Sequence, residues 1–165
     1  MSTVPSAAPT SNAAQSNVFQ GSNVVAAPAE RVWMMLQDPV VLSRVIPGLS
    51  EIVKTGPGRF IARLAVGVGP IRGKFRVTLQ FDETQAPQRI GVQALGRNMT
   101  GLAVLDAQLR VTDLGEGSRV DWTAAPRLSG LIASLGNKLI DTKARDSGAG
   151  QRYADQFFSR LSQEA

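Results

Sequence analysis

The strongest constraint in this sequence is an unbroken alternation of apolar and polar residues between Ile71 and Asp82. Ile71, Gly73, Phe75, Val77, Leu79 and Phe81 fall on one side of an extended chain, and Arg72, Lys74, Arg76, Thr78, Gln80 and Asp82 fall on the other. Successive strand side chains point to opposite faces, so this period of two predicts a half-buried antiparallel strand. The turn pair Gly69-Pro70 joins it to a preceding strand, Arg59 to Val68, in which Phe60, Ala62, Leu64, Val66 and Val68 point inward. Leu49 to Thr55 forms the strand before that, closed by Gly56-Pro57-Gly58. After Pro87 the same alternation turns Ile90, Val92 and Ala94 inward, and then Leu105, Ala107, Leu109 and Val111. Past Gly115-Glu116-Gly117 it continues with Val120, Trp122 and Ala124. An apolar-rich stretch from Val18 to Ala27 adds a first strand, so seven are expected in series.

Helices bracket this run. Pro28 suits the first turn of a short helix from Ala29 to Gln37. Asp38 caps a second short helix that carries Pro39 at its first position and stops at Pro47-Gly48. From Gly130 to Leu161 the spacing becomes helical, with Leu128, Ile132, Leu135, Leu139, Ala144, Ala154, Phe158 and Leu161 near one stripe. Some thirty helical residues would reach about 45 Å, whereas strands of about ten residues span about 33 Å. Such a helix either overhangs the sheet or breaks, and Gly148 and Gly150 mark the place for a break. The fold class expected is therefore α+β, a seven-stranded curved antiparallel sheet round a long C-terminal helix, with two short helices after strand one. Residues 1–17, built mostly from Ser, Ala, Thr, Pro, Asn and Gln, are expected to be a disordered tail, and residues 18–165 a single domain.

Composition bounds the chemistry. The 165 residues contain neither cysteine nor histidine, which removes the common zinc sites, thiol nucleophiles and histidine-based triads. No cofactor and no metal are expected. The 18 basic and 13 acidic side chains leave a formal charge of +5, which favours an anionic partner. Basic residues are scattered singly from Arg31 to Arg160 without an aromatic platform among them, so nucleic acid is not the partner expected. No stretch resembles a membrane-spanning helix or a signal peptide, which places the protein in the cytoplasm, touching the membrane only at its inner surface.

The inward set holds no side chain that titrates near neutral pH, and general acid–base catalysis needs one. Small residues on the sheet, Ala62, Ala94, Ala107 and Ala124, oppose Ala144 and Gly148, which leaves room for a hollow rather than a filled core. The expected walls of a cavity for an apolar ligand are Phe60, Leu64, Val66, Phe75, Val77 and Leu79 on the earlier strands. Val92, Leu105, Leu109 and Trp122 continue them on the later strands, and Leu135 and Leu139 on the helix. Leu42, Val45, Ile46 and Leu49 are the candidates for its mouth, or else simply dock the second helix. Arg44, Arg72 and Lys74 are candidates for anionic headgroups. Asp121, Arg119 and Arg110 are better explained by cross-strand charge pairing than by catalysis. Gly67-Val68-Gly69 belongs to a hairpin and has no following helix to make a phosphate site.

Several segments are similar to the carbon monoxide dehydrogenase G-subunit family, within the helix-grip START and polyketide-cyclase-like (SRPBCC) superfamily. They are Ala27 to Leu49 (APAERVWMMLQDPVVLSRVIPGL), Val68 to Leu79 (VGPIRGKFRVTL), Ser129 to Asp141 (SGLIASLGNKLID) and Gln156 to Phe158. The resemblance implies a non-catalytic accessory protein that assists a molybdenum-dependent carbon monoxide dehydrogenase or related hydroxylase, engages the membrane and binds a quinone or lipid. Molybdenum hydroxylase subunits and an anionic membrane are the partners it implies. Many relatives continue past the grip helix into a proline-rich linker and a membrane anchor, whereas this sequence stops at Ala165, so peripheral contact is expected. Between Asp141 and Gln156 the chain is longer than the family pattern by about seven residues, close to two helical turns, which would keep an apolar stripe in phase. A cyclase or hydrolase of the same superfamily, and an adaptor working through its basic outer face, are the alternatives.

Overall fold

The computed structural model describes residues 18–68, 71–130 and 148–165. Strand β1 (Phe19–Val25) leads into helices α1 (Ala29–Leu36) and α2 (Pro39–Val45). Strands β2 (Leu49–Gly56), β3 (Arg59–Val68), β4 (Ile71–Asp82), β5 (Arg89–Asn98), β6 (Gly101–Asp113) and β7 (Ser118–Gly130) follow, and helix α3 (Ala149–Gln163) comes last. The strands form one antiparallel sheet in the order β1-β7-β6-β5-β4-β3-β2. From β2 to β7 every strand pairs with its successor, and β1 closes onto β7. The result is a curved α+β sheet gripping its C-terminal helix. The expected residues 1–17 tail, the Gly69-Pro70 turn and the positions Ile132, Leu135, Leu139 and Ala144 lie outside the described residues.

Local chemistry explains the two short helices. Asp38 accepts a hydrogen bond from the Val40 amide at 2.9 Å, and Pro39 occupies the first turn, where its missing N–H is no loss. Pro28 cannot cap α1 with a side chain, and the orphan amide of Ala29 instead donates to Asp113 Oδ2 at the end of β6, 3.2 Å away. The apolar stripe Ala29, Val32, Met35 and Leu36 then buries α1 against the sheet. Deep in this region the Ser118 hydroxyl donates to the Ala27 carbonyl at 2.6 Å, so a buried polar side chain is satisfied.

The expected helix of some thirty residues needs correction at its start. Leu128, Ser129 and Gly130 belong to β7, where Leu128 continues the inward alternation of Val120, Trp122, Ala124 and Pro126. At the other end Gly148 adopts a left-handed φ of 72° and α3 starts after it, so no straight helix runs through this position.

Glycines also let α3 lie close on the sheet. A Cβ on Gly150 would come within 2.6 Å of the Phe19 ring, and one on Gly21 would meet Trp122 and Gln151. Across this close contact Asn23 ties three elements together. Its Oδ1 accepts from Trp122 Nε1 at 2.9 Å and from Gln151 Nε2 at 3.2 Å, and its Nδ2 donates to Asp155 Oδ1 at 2.8 Å. Hydrogen bonds from Gln151 and Asn23 hold the Asp155 carboxyl below its ordinary pKa. Further along, the Ala26 amide donates to Ser162 Oγ at 3.0 Å, and Arg44 pairs with Glu164 at 3.1 Å. Among the described residues no helix is long and apolar enough to cross a membrane.

Candidate ligand cavity

Cross-strand register turns the inward residues into rows, and the rows differ in bulk. One runs Ile90, Leu109 and Trp122 across β5, β6 and β7, with Val111 and Val120 beside it. Another runs Ala62, Val77, Gly96, Ala103 and Leu128 from β3 to β7. Between them lie Phe81, Val92, Ala107 and Ala124, and Phe60, Leu79, Ala94, Leu105 and Pro126. Where the rows are bulky, α1 and the end of α3 fill the concave face. Where alanine and glycine dominate, the inward side chains are short, and a cavity of about 380 Å³ lies against them. That volume lies in the range of small-molecule sites, about 300–1,000 Å³.

The wall is apolar almost throughout. Among the described lining residues only Trp122, Thr123 and Tyr153 bring a polar side-chain atom, and none is a carboxylate, an amine or a guanidinium. The Trp122 N–H is held by Asn23, and the Tyr153 hydroxyl donates to the Pro47 carbonyl at 3.2 Å. Burial pushes the Tyr153 phenol up to about 12, with nearby Arg160 opposing the rise, so it is neutral across the physiological range. The described wall offers dispersion and desolvation to a hydrocarbon.

Of the residues singled out in sequence, Leu64, Val66, Phe75, Val77, Leu79, Val92, Leu105, Leu109 and Trp122 line the cavity. So do the small residues Ala62, Ala94, Ala107 and Ala124. Leu42, Ile46 and Leu49 border it from α2 and the start of β2. Phe60 and Val45 are placed elsewhere, fully buried in the packed core, with the Phe60 ring edge-on to Phe81 at 5.8 Å. Leu135 and Leu139 lie outside the described residues. Sequence reasoning missed Gly96 and Ala103, which a further step of the alternation from Ala94 and Leu105 would have found. It also missed Phe19, Tyr153 and Phe157, which reach the cavity from β1 and α3. Of the polar candidates, Arg119 pairs with Asp121 at 3.2 Å on the outer face, where Arg127 also meets Asp106 at 3.0 Å. Among the described residues no group of acidic side chains is placed to hold a metal ion.

The model of the carbon monoxide dehydrogenase G-subunit (CoxG) family matches residues 21–165. The chain belongs to this family. No curated protein matches it. Among solved structures, this CoxG-family chain is similar to a conserved protein from Geobacillus kaustophilus, with a TM-score of 0.73 and 21% identity over 89% of this chain and 93% of that one. A START superfamily protein from Mycobacterium smegmatis gives a TM-score of 0.65 at 10% identity, covering 90% and 99% of the two chains. An aromatase/cyclase from a Streptomyces species gives 0.61 at 21% identity, covering 89% and 92%. Identities this low establish the helix-grip fold of the CoxG chain and leave its chemistry to be argued from its own cavity.

Proposed function

We propose that this CoxG-family protein is a non-catalytic carrier of a hydrophobic small molecule, a quinone or a lipid. In that role it assists a molybdenum-dependent enzyme of the carbon monoxide dehydrogenase type at the inner surface of the membrane. The observation that carries the proposal is the wall just described, about 380 Å³ of space faced by aliphatic and aromatic side chains. A cyclase or hydrolase would require an acid or base within hydrogen-bond reach of its substrate. The ionisable side chain that the described wall does contain, Tyr153, keeps its proton up to about pH 12 and directs it at Pro47.

The size of the expected effect is adequate. A ligand burying about 300 Å² of apolar surface gains roughly 7 kcal/mol, and a longer isoprenoid or acyl tail gains more, before the costs of association. Micromolar binding, about 8 kcal/mol net of those costs, is reached by such a longer tail. Support for the enzyme partner comes from membership of the family, and support for a membrane surface from the net charge of +5. Native mass spectrometry after incubation with quinones, phospholipids or a bacterial membrane extract tests the carrier role. A mass increment that survives desalting is expected, and a protein that stays empty even after the extract refutes it. Co-purification with molybdenum hydroxylase subunits, at low and high salt, tests the partner separately.

A further inference from the structure

The outer face of the sheet carries a feature independent of the cavity. The strand register sets Arg63 on β3 opposite Arg76 on β4, and Arg76 opposite Arg97 on β5. Three arginines thus stand abreast on adjacent strands, at a strand spacing of about 4.8 Å. Lys74 follows two residues from Arg76 on the same exposed face. Like charges set directly opposite one another destabilise a sheet, so a row of this kind calls for a counter-charge. Little is found among the described residues. Glu51 reaches Arg63 at 3.4 Å, while Asp106 and Asp121 are engaged by Arg127 and Arg119. Among the described residues no ion pair reaches Lys74, Arg76 or Arg97.

The same end of the sheet presents an apolar tip. Met99, two residues beyond Arg97 in the turn between β5 and β6, is 100% exposed. Its turn is braced: Asn98 Oδ1 accepts from the Thr100 amide at 2.8 Å and the Thr100 hydroxyl at 2.7 Å, and Asn98 Nδ2 donates to the Lys74 carbonyl at 3.2 Å. A thioether is therefore held out in water beside a basic row, on a tie to the very strand that carries Lys74 and Arg76.

We propose that the Arg63, Arg76 and Arg97 row, with Lys74 and the Met99 tip, is a docking surface for an anionic phospholipid bilayer. The basic side chains meet lipid phosphates while the tip enters the boundary between headgroups and acyl chains. An acidic protein would satisfy the charges and leave Met99 without a role. The choice of a bilayer also rests on the carrier function proposed above, because an apolar ligand is drawn from a membrane. Val77 and Gly96, the chain neighbours of Arg76 and Arg97, point the other way and line the cavity, so the row and the hollow lie on opposite faces of the same strands.

Sedimentation with vesicles tests this surface, using phosphatidylcholine alone and phosphatidylcholine with phosphatidylglycerol at roughly two to one, a surface on which each arginine contributes about fivefold in binding. The protein should bind the mixed vesicles and not the neutral ones. Arg76→Gln with Arg97→Gln should weaken partitioning roughly thirtyfold at low salt. Arg31→Gln with Arg160→Gln, which removes the same charge from exposed positions on α1 and α3, should leave it nearly unchanged. Met99→Trp should shift its emission to the blue on mixed vesicles alone. Equal losses in the two double variants would overturn the proposal in favour of diffuse net charge, and so would a wild-type protein that ignores mixed vesicles. If the row variant binds vesicles normally but loses binding to immobilised polyglutamate, the row serves an acidic protein and the bilayer is excluded. Ligand retention by native mass spectrometry is read on the same variants: a protein that docks on vesicles yet holds no apolar ligand keeps this surface and loses the carrier role.

Discussion

Two parts of one concave sheet face solve the problem of burial in opposite ways. Around Ile90, Val111 and Val120 the side chains are bulky, α1 lies over them, and their exposure is 0%, 4% and 0%. Around Gly96, Ala103 and Ala107 the backbone follows the same pleat and register, but the side chains are short, and a cavity lies against them. Curvature and strand pairing are shared, so side-chain volume distinguishes the two regions. The lesson is energetic. A void forfeits the dispersion contacts of the side chains around it, so the hollow part is stability withheld from the apo protein and available to an apolar ligand. The packed part must then hold the fold by itself.

The largest effect should therefore come from the packed part. Phe60 is fully buried and edge-on to Phe81, whose ring in turn meets Trp33 at 6.3 Å. Phe60→Ala should cost about 3–5 kcal/mol, measured as a lower urea midpoint with unchanged slope. A loss below about 1 kcal/mol would show that the core relaxes into the neighbouring space and that the two regions are not energetically distinct.

Tyr153 stands on the boundary, its ring against the cavity and its hydroxyl on the Pro47 carbonyl. Burial raises its pKa in the fold from 10.0 to about 12, so the folded state binds the phenolic proton more tightly than the unfolded chain. This contribution is complete below pH 10 and is lost as pH rises through 12. A shift of this size corresponds to about 2–3 kcal/mol. Tyr153→Phe should remove that part of the alkaline destabilisation, seen as stability curves that converge above pH 10 and cross before pH 12. At pH 7 the variant should lose about 1 kcal/mol for the missing hydrogen bond. Parallel curves would mean that the phenol reaches solvent and that the boundary is open.

The sheet was legible in sequence because one face of each strand is wet, which writes itself as a period of two. Turn chemistry did the rest at Asp38-Pro39 and Gly115-Glu116-Gly117. Leu128 misled because it sits at helical spacing from Ile132 and Leu135, while the longer alternation running through Trp122 and Pro126 assigns it to β7. Gly148 marked the right place for a break, since a left-handed φ suits a residue without a Cβ. The division between packed and hollow was only half legible. Alternation says that Phe60 and Leu64 both face inward, but register and the position of α1 decide which of them meets a helix and which meets space. Gly96 and Ala103 carry so little hydrophobic signal that their part in the wall emerges only once the rows are assembled.

The smallest stability changes should come from the hollow part, where they are most informative. Leu105 is only half-buried and lines the cavity, so Leu105→Ala enlarges an existing void and should cost about 1 kcal/mol, below the 2–5 kcal/mol usual for a packed leucine. Ala103→Leu puts extra methyl groups into the same space. In a filled core such overpacking costs about 1–3 kcal/mol, whereas here it should leave stability within about 0.5 kcal/mol. Its signature is in binding instead: with part of the volume filled, retention of an apolar ligand should fall at least about tenfold, a loss of 1.4 kcal/mol. The combination of unchanged melting and lost ligand separates a built-in hollow from a loosely packed core. If Ala103→Leu melts as early as Phe60→Ala, space at that position is already closed by its neighbours, and the contrast between the two rows reflects side-chain size without an accessible cavity.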